Sequence, residues 1–289
     1  MNVISLFNGM GTLRQALHDM NIKVNKYYSS EIKPYAIELQ QHHFPEVIQV
    51  GDINNWKEWD IDWKSIDFIG SGSPCQDLSA AGNRKGLNGN RSSLFFTFIE
   101  ILEHVKKLNP NVLFLQENVG SANTYDVGVM SRALGVYPVR INSNLLTAQN
   151  RDRYYWTNIK TKKTMFDVIT DIPQPKDLNI KYQSILESGT IDRQKSPCIL
   201  EGHYKGIYKD MDKMKSFIKI RKENGFDNQL YSIEGDEVRN LTKTEFCRLQ
   251  GFPDNYCDIL TIQKSISLLG DGWSLPVIIH ILSFMNIKN

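Results

Sequence analysis

The first half of the chain alternates short apolar runs with stretches whose apolar residues recur at helical spacing. The apolar runs predict strands at residues 2–7, 24–30, 47–50, 67–70, 112–116, 136–142 and 154–159. The amphipathic stretches predict helices at residues 12–20, 34–43 and 94–107. Such alternation is typical of an α/β fold, in which helices cover both faces of a parallel sheet. We therefore expect ligands to bind at the carboxyl ends of the strands.

The pattern changes near residue 160. Apolar periodicity weakens, Pro173 and Pro175 interrupt it, and short polar stretches rich in Lys and Asp continue to about residue 240. Helical spacing then returns at residues 242–249 and 275–285. The predicted organisation is a domain of residues 1–160, completed by residues 242–289, and a smaller irregular lobe of residues 161–241.

Charge is distributed unevenly, although the net charge is only +2. Residues 151–222 carry 16 Lys and Arg against 9 Asp and Glu, which leaves 18 against 23 in the rest of the chain. A basic segment of this kind suits a surface that meets nucleic-acid phosphates. A solvated lysine-rich surface explains it equally well, so motifs must decide.

The composition favours a globular protein, with 41% hydrophobic residues. No run approaches the roughly 18 apolar residues that span a bilayer, and the N-terminus has no signal-peptide pattern, so we expect a cytoplasmic protein without membrane contact. The four cysteines show no CxxC pairing and no close histidine. We therefore expect neither a zinc site nor a disulfide framework.

A glycine-containing loop follows the first predicted strand and opens the first predicted helix. The loop comprises Phe7, Asn8, Gly9, Met10, Gly11 and Thr12. Glycines let the backbone approach a ligand closely, and a helix N-terminus offers unpaired N–H groups. The pair of glycines is weak evidence by itself, because Arg14 stands where a dinucleotide fingerprint has its third glycine.

Two acidic residues follow later strands in the order that binding of a nucleoside-containing cofactor requires. Glu31 ends the second predicted strand, 20 residues after Gly11, where an acid hydrogen-bonds ribose hydroxyls. Asp52 follows the third predicted strand and can accept a hydrogen bond from an adenine amino group. A helix N-cap or a solvated turn is the competing interpretation of each acid alone. The shared order favours cofactor binding.

Cys75 lies in a glycine-flanked segment, residues 70–79, that follows another predicted strand. A thiol in such a loop is a candidate nucleophile where positive charge favours its thiolate. The competing interpretation is a buried, inert cysteine. The tripeptide Ser-Pro-Cys recurs at Cys198 without the strand or the glycines, so we interpret Cys198 as inert.

Further chemistry-bearing residues are predicted at the same edge of the sheet. Glu117 follows the strand predicted at residues 112–116. Arg151 and Arg153 lead into the strand predicted at residues 154–159. A thiol, a carboxyl group and a fixed cation at one edge can act together on an electrophilic heterocycle.

In order, these motifs resemble those of the DNA cytosine-5 methyltransferase family. The matching segments span nearly the whole chain: SLFNGMG, SEI, GDI, GSPCQDLS, QENV, QNRDRYYW, NLTKTEFCRLQGFP and LLGDGWSLPVI. The proline–cysteine, ENV and QxRxR elements are together highly specific. GSPCxDLS, RKGL, LFF, RYYW and GxxWSxPVI are most similar to the catalytic domains of animal de novo methyltransferases, while the short chain is compatible with a phage or bacterial origin.

The resemblance implies a Rossmann-like sheet that binds S-adenosylmethionine, a target-recognition lobe at residues 161–241, and double-stranded DNA as the partner. Cys75 would add to carbon 6 of a flipped cytosine, so that carbon 5 can take the methyl group. Glu117, protonated through burial, would hydrogen-bond N3 and the amino group. Arg153 would hold O2, and Arg151 would support the site or a phosphate.

The cofactor would contact the loop after the first strand and residues of several later motifs: Phe7, Asn8, Gly9, Met10, Gly11, Thr12, Glu31, Ile32, Asp52, Ile53, Pro74, Asp271, Gly272 and Trp273. The last three replace the family's usual GNS element, and Ser5 stands where the first motif usually opens with an acid. Core packing is the alternative interpretation of Trp273.

Rival functions remain open at this point. An RNA cytosine methyltransferase would have the same fold, but the cysteine–phenylalanine–threonine element usual in its tRNA-acting relatives is not found here. A catalytically inactive DNA-binding homologue would be expected to lose Cys75, Glu117 or the cofactor loop, all of which are present. A Rossmann dehydrogenase leaves the later motifs unexplained. The target sequence, any paired restriction enzyme and the oligomeric state are not readable from the chain.

Overall fold

The computed structural model describes residues 1–74, 94–200, 231–234 and 237–286. Its main feature is a seven-stranded sheet with the order β3-β2-β1-β4-β5-β7-β6. The strands are β1 (Asn2–Leu6), β2 (Lys26–Ser30), β3 (Ile48–Gln49), β4 (Phe68–Ser71), β5 (Leu113–Val119), β6 (Val139–Asn142) and β7 (Asp152–Thr157).

Strands β1 to β5 pair in parallel, as the alternating pattern predicts. Strand β7 is antiparallel to β5, with Glu117 opposite Tyr155 and Val119 opposite Arg153. The fold is therefore α/β with a mostly parallel sheet, which confirms the predicted fold class, and β7 is the strand whose antiparallel direction the pattern did not predict. Strand order reverses between β1 and β4, and ligands of open α/β sheets bind at the carboxyl ends beside such a reversal.

Seven α-helices lie in the described residues: α1 (Thr12–Asp19), α2 (Pro34–His43), α3 (Leu94–Leu108), α4 (Thr124–Leu134), α5 (Lys243–Gln250), α6 (Ile262–Asp271) and α7 (Leu275–Leu282). Two short antiparallel hairpins complete this part of the chain, β8 (Thr161–Lys163) with β9 (Val168–Thr170) and β10 (Tyr231–Glu234) with β11 (Glu237–Asn240). The sequence predicted α1, α2, α3, α5 and α7 but neither α4 nor α6.

The core beside the sheet is built from the apolar face of α3. Phe95, Phe98 and Val105 of this helix are 0–1% exposed, and they belong to one cluster with Ile69 of β4 and Phe114 of β5. Full burial of one such side chain stabilises the fold by about 1.5–3 kcal/mol. This packing fixes β4 and β5, whose carboxyl ends carry the predicted catalytic residues.

The chain divides into two compact units. The first comprises residues 1–141, 152–174 and 278–289, and the second comprises residues 142–151 and 175–277. Residues 242–277 thus group with the second unit, whereas the sequence prediction assigned them to the first domain because helical spacing returns there. The predicted target-recognition lobe at residues 161–241 stays a prediction.

One stretch of the described residues, Ile262–Leu282, has the length and the mean hydropathy (1.4) of a membrane-crossing helix. The structure breaks this stretch between α6 and α7, and 72% of it is buried within the protein. Burial of this extent is what a core helix of a globular protein shows.

Candidate active site

The loop between β1 and α1 has an unusual backbone conformation. Phe7, Gly9 and Gly11 have φ angles of 55°, 56° and 83°, in the left-handed region. Glycine adopts this region freely, but a bulky residue such as Phe7 adopts it at a cost of roughly 1–3 kcal/mol. Gly11 is also the N-cap of α1. The loop is therefore held in a strained conformation, as functional loops often are.

A network of buried polar side chains forms hydrogen bonds with this loop. The Asn8 side chain donates to Ser29 Oγ (3.0 Å) and Gln40 Oε1 (2.8 Å). The Tyr27 hydroxyl donates to Asn8 Oδ1 (3.0 Å), and burial raises the pKa of Tyr27, so that the hydroxyl keeps its proton. Gln40 Nε2 donates to the Gly9 carbonyl (2.5 Å). Gly9 is thus fixed by a side chain from α2.

Glu31 connects the loop to the start of α2. One carboxylate oxygen accepts from the Gly9 N–H (2.7 Å), and the other accepts from the N–H groups of Ile32 (2.8 Å) and Lys33 (2.9 Å). The sequence prediction put Glu31 beside the loop at the end of β2, and the structure places it there. Ile32 is 69% exposed next to this carboxylate.

The remaining predicted cofactor residues of this region differ in exposure. Asp52 is the N-cap of a short 3-10 helix, and its Oδ1 accepts from the Asn54 N–H (2.9 Å) and Nδ2 (2.9 Å). Met10, Thr12 and Ile53 are buried, with exposures of 0%, 3% and 3%.

The end of β4 leads towards the predicted nucleophile. Gln116 of β5 donates to Ser73 Oγ (3.0 Å) and to the Glu117 carbonyl (2.7 Å). These bonds tie the segment before Pro74 to the end of β5. Cys75 itself lies outside the described residues, so its predicted position stays a prediction.

Glu117 and Arg153 form an ion pair between β5 and β7. Arg153 Nε lies 2.9 Å from Glu117 Oε1, and the two side chains are 13% and 10% exposed. Arg153 Nη1 also donates to the Asp152 carbonyl (2.8 Å). The structure thus brings together the acid and the second arginine that the sequence predicted at this edge.

Arg151 has a different environment. Its guanidinium is 2% exposed and donates to the carbonyls of Ile199, Gly270 and Gly272 and to Cys198 Sγ. These acceptors, like Arg151 itself, belong to the second unit, whereas Glu117 and Arg153 belong to the first.

The predicted segment near the C-terminus follows α6. Gly272 is the C-cap of this helix, and its carbonyl accepts from Arg151 Nη2 (2.7 Å) and Gln250 Nε2 (3.2 Å). Trp273 is 9% exposed. The segment is thus anchored through its backbone.

Sequence reasoning missed the residues that support the site, chiefly Tyr27, Gln40 and Gln116. A signal was present in β2, whose sequence KYYSS is polar although four of its five residues are buried. Buried polar side chains require hydrogen-bond partners. Such a strand therefore indicates a polar network even where the partners cannot be identified.

A glycine loop after β1, an acid at the end of β2 and a reversal of strand order define a Rossmann-like α/β fold, which solved structures share. Residues 1–198 match the family described as C-5 cytosine-specific DNA methylase. The chain belongs to this family and is an enzyme of the DNA cytosine-5 methyltransferase class.

Named relatives agree with this assignment. The type II methyltransferase M1.ScrFI of Lactococcus lactis subsp. cremoris is 29% identical over 96% of this chain and 75% of its own length. M.NlaX of Neisseria lactamica is 28% identical over 96% of this chain and 93% of its own length.

Solved structures show the same fold at lower identity. The methyltransferase EhMeth of Entamoeba histolytica covers 98% of this chain and 97% of its own, with a TM-score of 0.67 and 16% identity. A DNMT2 variant of Spodoptera frugiperda covers 98% of both chains, with a TM-score of 0.61 and 18% identity. At these identities the likeness concerns the fold alone.

Proposed function

We propose that this chain transfers a methyl group from S-adenosylmethionine to carbon 5 of cytosine in double-stranded DNA. The observation that carries the proposal is the Glu117–Arg153 ion pair on β5 and β7. Strand β4, which leads through Pro74 to Cys75, is the parallel neighbour of β5. The family membership supports cytosine as the heterocycle on which these groups act. A DNA substrate agrees with the expected cytoplasmic location.

In the proposed reaction the Cys75 thiolate adds to carbon 6 of the cytosine ring, which makes carbon 5 nucleophilic. The cofactor supplies an electrophilic methyl group. Carbon 5 bonds to this methyl as the methyl–sulfur bond breaks, and S-adenosylhomocysteine leaves. A base then removes the carbon 5 proton, and the thiolate is eliminated from carbon 6. The cytosine must be flipped out of the duplex before these atoms can meet.

Glu117 and Arg153 recognise the ring in this proposal. Glu117 in its protonated form donates to N3 and accepts from the amino group, and Arg153 donates to O2. In the structure the two side chains pair with each other, at 2.9 Å. The flipped base would exchange this ion pair for contacts with its own polar edge.

The loop between β1 and α1 fits the proposed cofactor. Gly9 has no side chain, and the Phe7 carbonyl, at 3.9 Å, is the one atom of the described residues within 4 Å of an added Cβ, so the backbone is open to a ligand. The Glu31 carboxylate can accept from ribose hydroxyls, and the exposed Ile32 can cover an apolar ring face. Asp52 would accept from the adenine amino group. The loop thus offers both polar and apolar contacts.

Trapping on DNA that contains 5-fluorocytosine tests the covalent step, because fluorine at carbon 5 blocks the final elimination. We expect the wild-type chain to form a denaturation-resistant protein–DNA adduct, and Cys75→Ser to form none. Cys198→Ser is the matched control, since Cys198 stands in the same Ser-Pro-Cys tripeptide and serine keeps an acceptor for Arg151. An adduct with Cys75→Ser would disprove the assignment of the nucleophile.

Methyl transfer to duplex DNA and to tRNA, measured side by side with tritiated S-adenosylmethionine, tests the nucleic-acid substrate. We expect label in DNA alone. Label in tRNA alone would instead support the RNA methyltransferase alternative. Bisulfite sequencing of DNA from cells that express the chain would then identify the target sequence.

A further inference from the structure

Arg151 is a buried cation whose acceptors among the described residues are three backbone carbonyls and the sulfur of Cys198. Nη1 donates to Cys198 Sγ (3.2 Å) and the Ile199 carbonyl (3.1 Å), and Nη2 donates to the carbonyls of Gly270 (2.9 Å) and Gly272 (2.7 Å). Nε is buried without a hydrogen-bond partner among the described residues. An arginine has five N–H donors. Four are used inside the protein and the fifth is buried, so none is left for a DNA phosphate.

The Gly272 carbonyl accepts hydrogen bonds from two side chains, those of Arg151 and Gln250. Gln250 Nε2 donates to it (3.2 Å) and also to the Leu269 carbonyl (2.6 Å). Gln149 Nε2 donates in turn to Gln250 Oε1 (3.1 Å). Arg151 and Gln250 thus hold the backbone at the end of α6 from two directions.

Geometry explains why an arginine occupies this position. Burial of a cation costs free energy, and hydrogen bonds to neutral carbonyls offset less of this cost than an ion pair with a carboxylate would. A guanidinium, however, is planar and holds several acceptors in fixed directions. One ammonium group at the same place could not span the Ile199 carbonyl on one side and the Gly270 and Gly272 carbonyls on the other.

We propose that Arg151 is a positioning residue for the cofactor: it fixes the Gly270–Trp273 segment in its binding conformation and does not contact DNA. This inference rests on the proposed function, which assigns Asp271, Gly272 and Trp273 to the cofactor. It separates the roles of the two arginines in the QNRDR element, since Arg153 pairs with Glu117 and acts on the base.

The test compares Arg151→Lys and Arg151→Met in the full chain. S-adenosylhomocysteine affinity is measured by calorimetry, and KM is measured separately for S-adenosylmethionine and DNA. Both variants are expected to bind S-adenosylhomocysteine about tenfold or more weakly, with a matching rise in KM for S-adenosylmethionine. KM for DNA and the salt dependence of DNA binding should stay unchanged, and lysine should not rescue. Arg132→Met, which removes the same charge at an exposed position, should behave as wild type.

A phosphate contact predicts different results. Arg151→Met would then reduce the slope of log affinity for DNA against log salt by about one, and Arg151→Lys would restore DNA binding. A role in stability alone would lower the fraction of trapped, active enzyme and leave both KM values unchanged. Either result would overturn the proposal.

A second variant keeps the test decisive if Arg151→Met does not fold. Gln250→Met removes the other donor to the Gly272 carbonyl and is expected to raise KM for S-adenosylmethionine in the same direction. An unchanged KM in this folded variant would contradict positioning through Gly272. A wild-type chain that binds no S-adenosylhomocysteine would instead disprove the proposed function itself.

Discussion

Glu117 and Arg153 face each other on neighbouring antiparallel strands, and both are largely withdrawn from solvent. Rigid strands hold catalytic groups more precisely than loops do. The pair is therefore placed before any base arrives. In the proposed reaction its role depends on a proton, since an ionised carboxylate cannot donate to N3 of cytosine.

Replacing Glu117 with glutamine tests this dependence. Glutamine has nearly the same shape but cannot transfer a proton, so kcat for methyl transfer should fall by about 10²–10⁴-fold. DNA affinity should change by less than tenfold, because the amide still fills the pocket. Single-turnover methylation with tritiated cofactor measures the chemical step. A rate within twofold of wild type would contradict the assigned role.

For single residues, the sequence predicted which side chains lie at the strand ends better than it predicted the partners of those side chains. Glu31, Glu117 and Arg153 lie at the strand ends where the pattern placed them. Arg151 and Arg153 have different partners, because a spacing of two residues does not determine where a long side chain finds its acceptors. The left-handed conformation of Phe7 was also unpredicted, since it depends on a network of tertiary contacts.

The start of α5 illustrates how one residue stabilises an element. Thr242 and Glu245 form a capping box, and Glu245, which is 0% exposed, also accepts two hydrogen bonds from Arg239. Burial by itself raises the pKa of Glu245, but bonds from Arg239 and from the backbone N–H groups of Thr242 and Glu187 outweigh it and lower the pKa below 4.5. The ionised form is therefore the one that stabilises the fold.

The substitution Glu245→Gln tests this stabilisation and its pH dependence. A group whose pKa is lowered by folding stabilises above its unfolded pKa, and the effect is lost as pH falls through the folded pKa. The variant should lose about 3 kcal/mol of unfolding free energy at pH 7, because Arg239 loses its charged partner. The difference should shrink below about pH 4.5. Urea unfolding across pH measures it, and a difference independent of pH would contradict the mechanism.

Two helices end at glycines in the left-handed region, and their surroundings differ. Gly251 ends α5 with φ 79°, and an added Cβ would lie 2.4 Å from the Pro276 ring. Gly135 ends α4 with φ 72°, and no atom in the described part of the chain lies within 4 Å of an added Cβ. Comparing these two glycines therefore separates the energetic cost of backbone strain from the cost of close packing.

Alanine at each position is expected to have a different cost. Gly135→Ala should destabilise by about 1 kcal/mol, the cost of a left-handed alanine. Gly251→Ala should cost at least about 2 kcal/mol more, because the rigid Pro276 ring must also move. Urea unfolding of both variants under identical conditions gives the comparison. Equal losses would show that Pro276 yields easily.

Helices and strands with clear apolar periodicity were predicted well, and α2 was predicted at its observed bounds. Helix α4 was missed because its sequence, TYDVGVMSRAL, contains a glycine and β-branched residues, which weaken the helical signal. The direction of β7 could not be predicted, because antiparallel pairing depends on where the chain returns and not on the pattern within one strand.

Across the whole molecule, the basic character of residues 151–222 is less available to DNA than its charge suggests. Arg151 binds carbonyl groups, Arg153 binds Glu117, and Lys195 Nζ donates to three carbonyls: Asn144 (2.6 Å), Thr147 (2.9 Å) and Ile180 (2.6 Å). A sequence count cannot distinguish such internal cations from those at a surface. The charge excess left a nucleic-acid partner and a solvated lysine-rich surface equally open, and it overstated how many of the described cations are available at a surface.

The position of the β8–β9 hairpin further reduces the number of cations that are expected to meet DNA phosphates. Strand β7 begins at the predicted catalytic edge, with Arg153 opposite Val119, and runs to Thr157 opposite Leu115, towards the start of β5. The hairpin leaves β7 at that far end. Its exposed lysines, Lys162 and Lys163, therefore lie away from the predicted site, although they fall within the predicted lobe of residues 161–241. Lys215 and Lys219 belong to the same predicted lobe and lie outside the described residues.

Two double variants of equal charge change test this division. Lys162→Gln with Lys163→Gln should leave the salt dependence of DNA binding unchanged. Lys215→Gln with Lys219→Gln should make the slope of log affinity against log salt less steep, by about 0.9 for each phosphate that the chain no longer neutralises. Fluorescence anisotropy between about 50 and 200 mM salt measures both slopes. A reduced slope in the hairpin variant would mean that DNA meets the opposite edge of the sheet, because counterion release reports the neutralisation of phosphates wherever it occurs.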